Sequence, residues 1–189
     1  MGVLKSVVID EITARGSIRD IDVIKLRSVF YDDVAISAEE AALLISINRQ
    51  AEVQDPAWGA FFVEALTDYI VNQAKPEGYV TAENAKWLIE MIGPGGRVET
   101  KLELDLLVHV IEEARWSPAS LVRFALDQVK QAVATGNGPL REGTAVAAGE
   151  ISETEIELIR RIVYAFGGDG NVAVTRAEAE VMFDINDLV

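Results

Sequence analysis

The stretch Ile36-Ser37-Ala38-Glu39-Glu40, with Leu43, Leu44 and Ile47 behind it, decides how this chain reads. An apolar residue precedes a serine, and a glutamate stands three positions after that serine. The hydroxyl can accept from the backbone N–H three residues on, while the glutamate reaches back to the N–H of the serine. Two donors that a helix cannot pair at its own start are satisfied in this way. The carboxylate also lies at the positive end of the helix dipole.

The pattern recurs. Ile151-Ser152-Glu153-Thr154-Glu155 and Val174-Thr175-Arg176-Ala177-Glu178 repeat it in full. Val80-Thr81-Ala82-Glu83-Asn84 has Asn in place of the last Glu, and Thr100-Lys101-Leu102-Glu103 has its apolar residue, Val98, one position early. In every copy the residues six, seven and ten after the cap are apolar: Leu43, Leu44 and Ile47; Trp87, Leu88 and Met91; Leu106, Leu107 and Val110; Leu158, Ile159 and Ile162; Val181, Met182 and Ile185. Such spacing marks one buried face of a short amphipathic helix.

The copies come in pairs. Thr81 pairs with Thr100, Ser152 with Thr175, and Ser37 with a degenerate start at Gly16-Ser17-Ile18-Arg19-Asp20-Ile21-Asp22. A further helical stretch precedes each pair, at 3–14, 56–74 and 118–134. The last two open alike, with Pro56-Ala57 and Pro118-Ala119 at the first helical position, where proline is tolerated. Asp55 and Ser117 are the expected caps before them. The chain thus reads as all-α, with about nine helices in three repeated three-helix units, 1–54, 55–116 and 117–189, in one compact bundle. The Gly-, Ala- and Thr-rich loop 136–149 is the expected internal boundary. Strand is reduced to short apolar pieces before the caps, each able to pair with its neighbour over two residues.

Composition narrows the function classes. The chain of 189 residues carries a formal net charge of −14 and no cysteine. Disulfides and thiolate chemistry are excluded, and so much negative charge disfavours nucleic acid and anionic lipid surfaces. No apolar run is long enough for a membrane span, and the opening residues read as a first helix rather than a secretory signal. A cytoplasmic protein is the expectation.

Catalytic constellations are sparse. His109, the single histidine, lies in a helix with Asp105 one turn away, but no nucleophile accompanies them. The acid pairs Glu39-Glu40, Glu112-Glu113 and Glu178/Glu180 read as capping and solvent-facing residues. Gly93-Pro94-Gly95-Gly96-Arg97 is a turn between helices, without the strand and Lys-Ser/Thr ending of a phosphate loop. Trp87 is expected in the core. Trp58 and Trp116, near unit boundaries, are expected to pack units together or mark an interface. Arg160-Arg161, next to the loop 166–171, is expected to pair with the acids of that loop or with a partner.

Two families share the helix-start grammar. EF-hand loops resemble it in placing Gly at position 6, an apolar residue at 8, a cap at 9 and Glu at 12. Gly78, Val80, Thr81 and Asn84 follow that spacing with Asn for Glu, and Gly149, Ile151, Ser152 and Glu155 follow it fully. The ligand positions 1, 3 and 5 are then Gln73, Lys75 and Glu77, or Thr144, Val146 and Ala148, which do not make a calcium set. The nearest approach is Gly167 to Glu178, with Asp169, Asn171 and Glu178 at positions 3, 5 and 12. The chain also resembles the TerB-like helical domain of tellurite-resistance proteins, through 149–155 and 169–178 and, less closely, 32–40. That resemblance implies an all-helical, stress-associated binding or scaffolding protein with an acidic, metal-related patch, whose nearest equivalents here are Asp32, Asp33 and Asp169. The turn Gly93 to Gly96 departs from the family in not being acidic, as does Arg15 before Gly16.

The reading is a non-enzymatic acidic scaffold for a protein partner or for a second copy of itself, with no cofactor. A calcium sensor using the degenerate loops is the alternative.

Overall fold

The computed structural model describes residues 3–32, 35–165 and 174–189. Nine α-helices are present among them: α1 (Val3–Arg15), α2 (Asp20–Asp32), α3 (Ala38–Gln50), α4 (Pro56–Thr67), α5 (Ala82–Ile92), α6 (Lys101–Glu113), α7 (Ala119–Thr135), α8 (Glu153–Val163) and α9 (Arg176–Leu188). Among the same described residues, strand is limited to β1 (Ser17–Ile18) and β2 (Val53–Gln54).

All five hydroxyl caps are formed. Ser37, Thr81, Thr100, Ser152 and Thr175 each accept from the N–H three residues on, and Glu40, Glu103, Glu155 and Glu178 complete the reciprocal bond. These four glutamates are buried. Their carboxylates are spent on backbone donors, which explains how so acidic a chain can bury acids at all. The degenerate start before α2 keeps half the device: Asp22 accepts from the Arg19 N–H at 2.9 Å, where Arg19 offers no hydroxyl. Of the positions six and seven after each cap, at least one is buried in every copy; Leu44 is fully buried, whereas Trp87 and Ile159 are only half-buried. Trp87 therefore departs from its expected core position, because α5 turns Leu88 inward instead.

The chain divides into two compact units, Met1–Gln73 and Ala74–Val189. The division does not fall at 54/55 or 116/117, and the reason lies in the helices that were expected to open new units. α4 packs back on α2. Its Phe61 meets Phe30 edge-on at 5.8 Å between ring centroids, and its Trp58 donates to Asn48 Oδ1 at 3.1 Å. After Thr67 the helix widens into a π-helical turn, Asp68–Gln73. There the Gln73 side chain accepts from the Ile36 N–H at 2.7 Å, beside the α3 cap. Trp58, expected near a boundary, is instead fully buried in the first unit with Phe61 and Phe62.

In the second unit α7 is the central helix. It packs on α5 and α6 from one pair and on α8 and α9 from the other. Leu121, Ala125, Leu126, Val129 and Val133 along it are fully buried. The loop 136–149 lies inside this unit rather than dividing it. Gly149 N–H donates to Val133 O at 2.9 Å, and Arg141 within the loop is buried.

The short pairings follow one scheme in both units, and it differs from the expected one. The piece before a helix pair pairs with the piece after it. β1 and β2 run parallel, Ser17 opposite Val53 and Ile18 opposite Gln54. Tyr79 forms an isolated parallel bridge with Trp116. Gly16, Ile18, Asp55 and Pro56 of the first unit correspond to Gly78, Val80, Ser117 and Pro118 of the second, each 62 positions later. Gly16 and Gly78 both have φ in the left-handed region, +68° and +83°, which only glycine adopts without strain. Their carbonyls accept from Glu52 and Arg115 N–H at 3.0 and 2.7 Å, closing each helix pair at its base.

Candidate binding groove

In the second unit, α6 and α8 lie side by side. Arg161, near the end of α8, donates two 2.8 Å hydrogen bonds to Glu112, near the end of α6, so the C-terminal turns of the two helices are together. Two negative helix ends meet there, and the guanidinium offsets both. The Glu112 hydrogen bonds, outweighing partial burial, raise the Arg161 pKa above its ordinary value, with Asp105 and Glu157 adding to the field.

Between the helices runs a groove of about 470 Å³. It is lined by Leu104, Leu158 and, from the short 3-10 turn Pro139–Arg141, Leu140, of which Leu140 is the one with open surface. Leu104 and Leu158 are buried against the core, while Leu140 is half-buried. Lys101, Asp105, Glu153, Glu157 and Arg161 line the rim. The size lies within the range of ligand clefts.

Asp105 lies exposed on this rim, its carboxyl partly shielded by burial. Loss of water around its carboxyl raises its pKa above the usual carboxylate value, and Lys101 and Arg161 pull it partly back. Among the described residues it forms no ion pair within 4 Å. Arg161 is committed to Glu112, and Glu157 makes only an exposed contact of 3.6 Å with Arg160. Arg160 and Arg161 thus pair with acids of α8 and α6, and the acids of the loop 166–171 expected to meet them lie outside the described residues. The groove itself is invisible in the sequence: Asp105 and Glu157 each lie on the outer side of a separate helix, and no spacing rule joins them.

The groove is held open by the structure beneath it. Leu140 is placed by Arg141, whose Nε and terminal nitrogen donate to Glu155 at 2.7 and 3.0 Å. The same nitrogen donates to Glu150 O at 2.7 Å. Glu155 accepts in addition from Ser152 N–H at 2.8 Å and from the Ser152 hydroxyl at 2.9 Å. Both side chains of this pair are essentially out of solvent, 3% and 0% exposed. A charge pair that deep holds only when its remaining hydrogen-bonding capacity is filled, and here it is. The residue at position 12 of the EF-hand-like spacing is thereby an arginine partner, with no oxygen left free for a cation.

The other sequence-selected residues are dispersed. Glu178 is buried in the α9 capping box, with Oε2 at 2.7 Å from the Thr175 N–H. Asp33, Asp169 and Asn171 lie outside the described residues, as does most of the loop from Gly167 to Glu178; Asp32 ends α2. No group of three or more His, Asp or Glu side chains able to share a metal occurs among the described residues. His109 is half-buried on α6 and makes no hydrogen bond to Asp105 among those residues. Within the acid pairs, Glu40 and Glu178 are in caps, Glu112 holds Arg161, and Glu180 accepts from Arg176 at 3.0 Å. No described helix is long and apolar enough to cross a membrane. No family model, curated protein or solved structure matches this chain.

Proposed function

We propose that this chain is a non-enzymatic, acidic helical binding or scaffold protein, TerB-like in style, stress-associated and cytoplasmic, that acts through a protein partner or a second copy of itself. The observation that carries the reading is the α6–α8 groove: leucines at its floor, with Leu140 open, under a charged rim where the Asp105 carboxylate forms no ion pair within 4 Å among the described residues. Interaction surfaces of this kind combine an apolar centre with a polar border. The buried glutamates support the reading from the other side. Glu40, Glu103, Glu155 and Glu178 are occupied in helix starts, so they do not serve as an acid–base pair.

Hydrogen exchange on the full chain, alone and with a panel of peptides, tests this. Protection over α6 and α8 supports it; binding that protects other segments, or no binding by any peptide, overturns it. Light scattering over a concentration series separates self-association from a foreign partner. The calcium-sensor alternative makes its own prediction: a cation at a hundred times its dissociation constant adds about 2.7 kcal/mol of stability. A melting temperature unmoved by millimolar calcium ends that alternative.

A further inference from the structure

We infer that the α6–α8 groove seats a lysine or arginine side chain of a basic peptide segment, its aliphatic stem on Leu140 and its charged head at Asp105. The inference rests on the binding reading above and names the chemistry of the partner. Long cationic side chains lay their methylenes along apolar surface and keep the charge at a polar edge; the groove offers both within one cleft. Of the cations on its rim, Arg161 is already held by Glu112 through two hydrogen bonds, leaving Lys101 against Asp105, Glu153 and Glu157. Lys101 and Arg161 act on Asp105 only through space, so an incoming cation would supply the direct contact that no described residue makes with it. The net charge of −14 draws basic segments toward the protein from a distance.

The probe is a fluorescein-labelled peptide of alternating arginine and alanine, beside the same peptide with glutamine for arginine. Binding is read by anisotropy, and the footprint by hydrogen exchange on the full chain. Asp105→Asn keeps the shape of the side chain and removes its charge; it should weaken the arginine peptide about fivefold to tenfold. Glu142→Gln removes the charge of an exposed acid that does not line the groove and should change affinity less than about twofold. Lys101→Ala removes the competing cation and should tighten binding, which a purely structural role for the rim does not produce. If Asp105→Asn and Glu142→Gln weaken binding equally, only the overall charge is at work and the inference falls. If the glutamine peptide protects α6 and α8 as well as the arginine peptide does, the cation inference falls while the binding reading stands. If neither peptide protects α6 or α8, the inference fails outright, and the binding reading then depends on the wider panel.

Discussion

The two units repeat one helix-pair scheme yet fasten it differently. In the first, Asp22 is fully buried and answered by arginines that keep access to water: Arg15 and Arg19 are 29% and 53% exposed. In the second, Glu155 is answered by an arginine that is buried with it. The first arrangement leaves its cations solvated if the acid is lost. The second leaves a buried charge without a partner. The same helix-start geometry therefore carries very different stakes, set by the depth of the cation.

Arg141→Met tests that contrast most severely. Stranding the Glu155 carboxylate should cost about 3–5 kcal/mol in denaturant unfolding. Adding Glu155→Gln, which keeps the reach-back to Ser152 but removes the charge, should recover part of the loss. A cost below about 1 kcal/mol, the level of a surface pair, would break the comparison.

Asp22→Asn should cost about 1–2 kcal/mol, because hydrogen bonds to a charged acceptor are weakened but no buried cation is stranded. It also recreates in the first unit the Asn that stands at position 84 in the second. Burial by itself would raise the Asp22 pKa, but the side-chain and backbone hydrogen bonds from Arg19, with the charges of Arg15 and Arg19, outweigh it and leave the value lowered. With the folded value below the unfolded one, the stabilisation is fully present above about pH 4 and is lost as acid protonates Asp22 through its lower folded value. The acid limb of a stability–pH curve should accordingly flatten in Asp22→Asn.

The repeat sharpens the contrast again at the helices headed by proline. Asp55 accepts from the Ala57 N–H at 2.8 Å. Ser117, its counterpart and an expected cap, does not cap α7: its hydroxyl is buried and has no hydrogen-bond partner among the described residues. Asp55→Ala should cost about 1 kcal/mol, and Ser117→Ala should be neutral or slightly stabilising. Equal losses at both sites would show that the two starts are equivalent after all.

The smallest effect is expected at Asp105. Its raised pKa means the opposite sign from Asp22: the ionised form is the one the fold disfavours, so its contribution is best at low pH and is lost as pH rises through its folded value. Asp105→Asn should raise stability at neutral pH by less than about 0.5 kcal/mol, since water screens an exposed site. A measurable loss would mean that the carboxylate is part of the structure rather than an open rim group.

Much of the architecture was written locally. Hydroxyl–carboxylate brackets have a fixed three-residue reach, and apolar spacing of three and four has one helical reading, so the starts of α3, α5, α6, α8 and α9 were legible residue by residue. Which way a half-apolar helix turns was not, and Trp87 shows it: both Trp87 and Leu88 fit the stripe, and only the packing of α5 chose Leu88. The loop 136–149 misled for a related reason. Its composition is that of a linker, and nothing in it announces that Arg141 will find Glu155 fourteen residues on.

By itself, then, the sequence determined an all-helical chain, the places where five of its helices begin, and the use of glutamates as caps, because each depends on atoms a few residues apart. Tertiary structure alone decided that the chain forms two units rather than three, that Arg141 is a buried anchor, and that Asp105 and Glu157 share a groove. Those outcomes depend on which helix faces meet, and side chains far apart in sequence come together only when the cores beneath them pack.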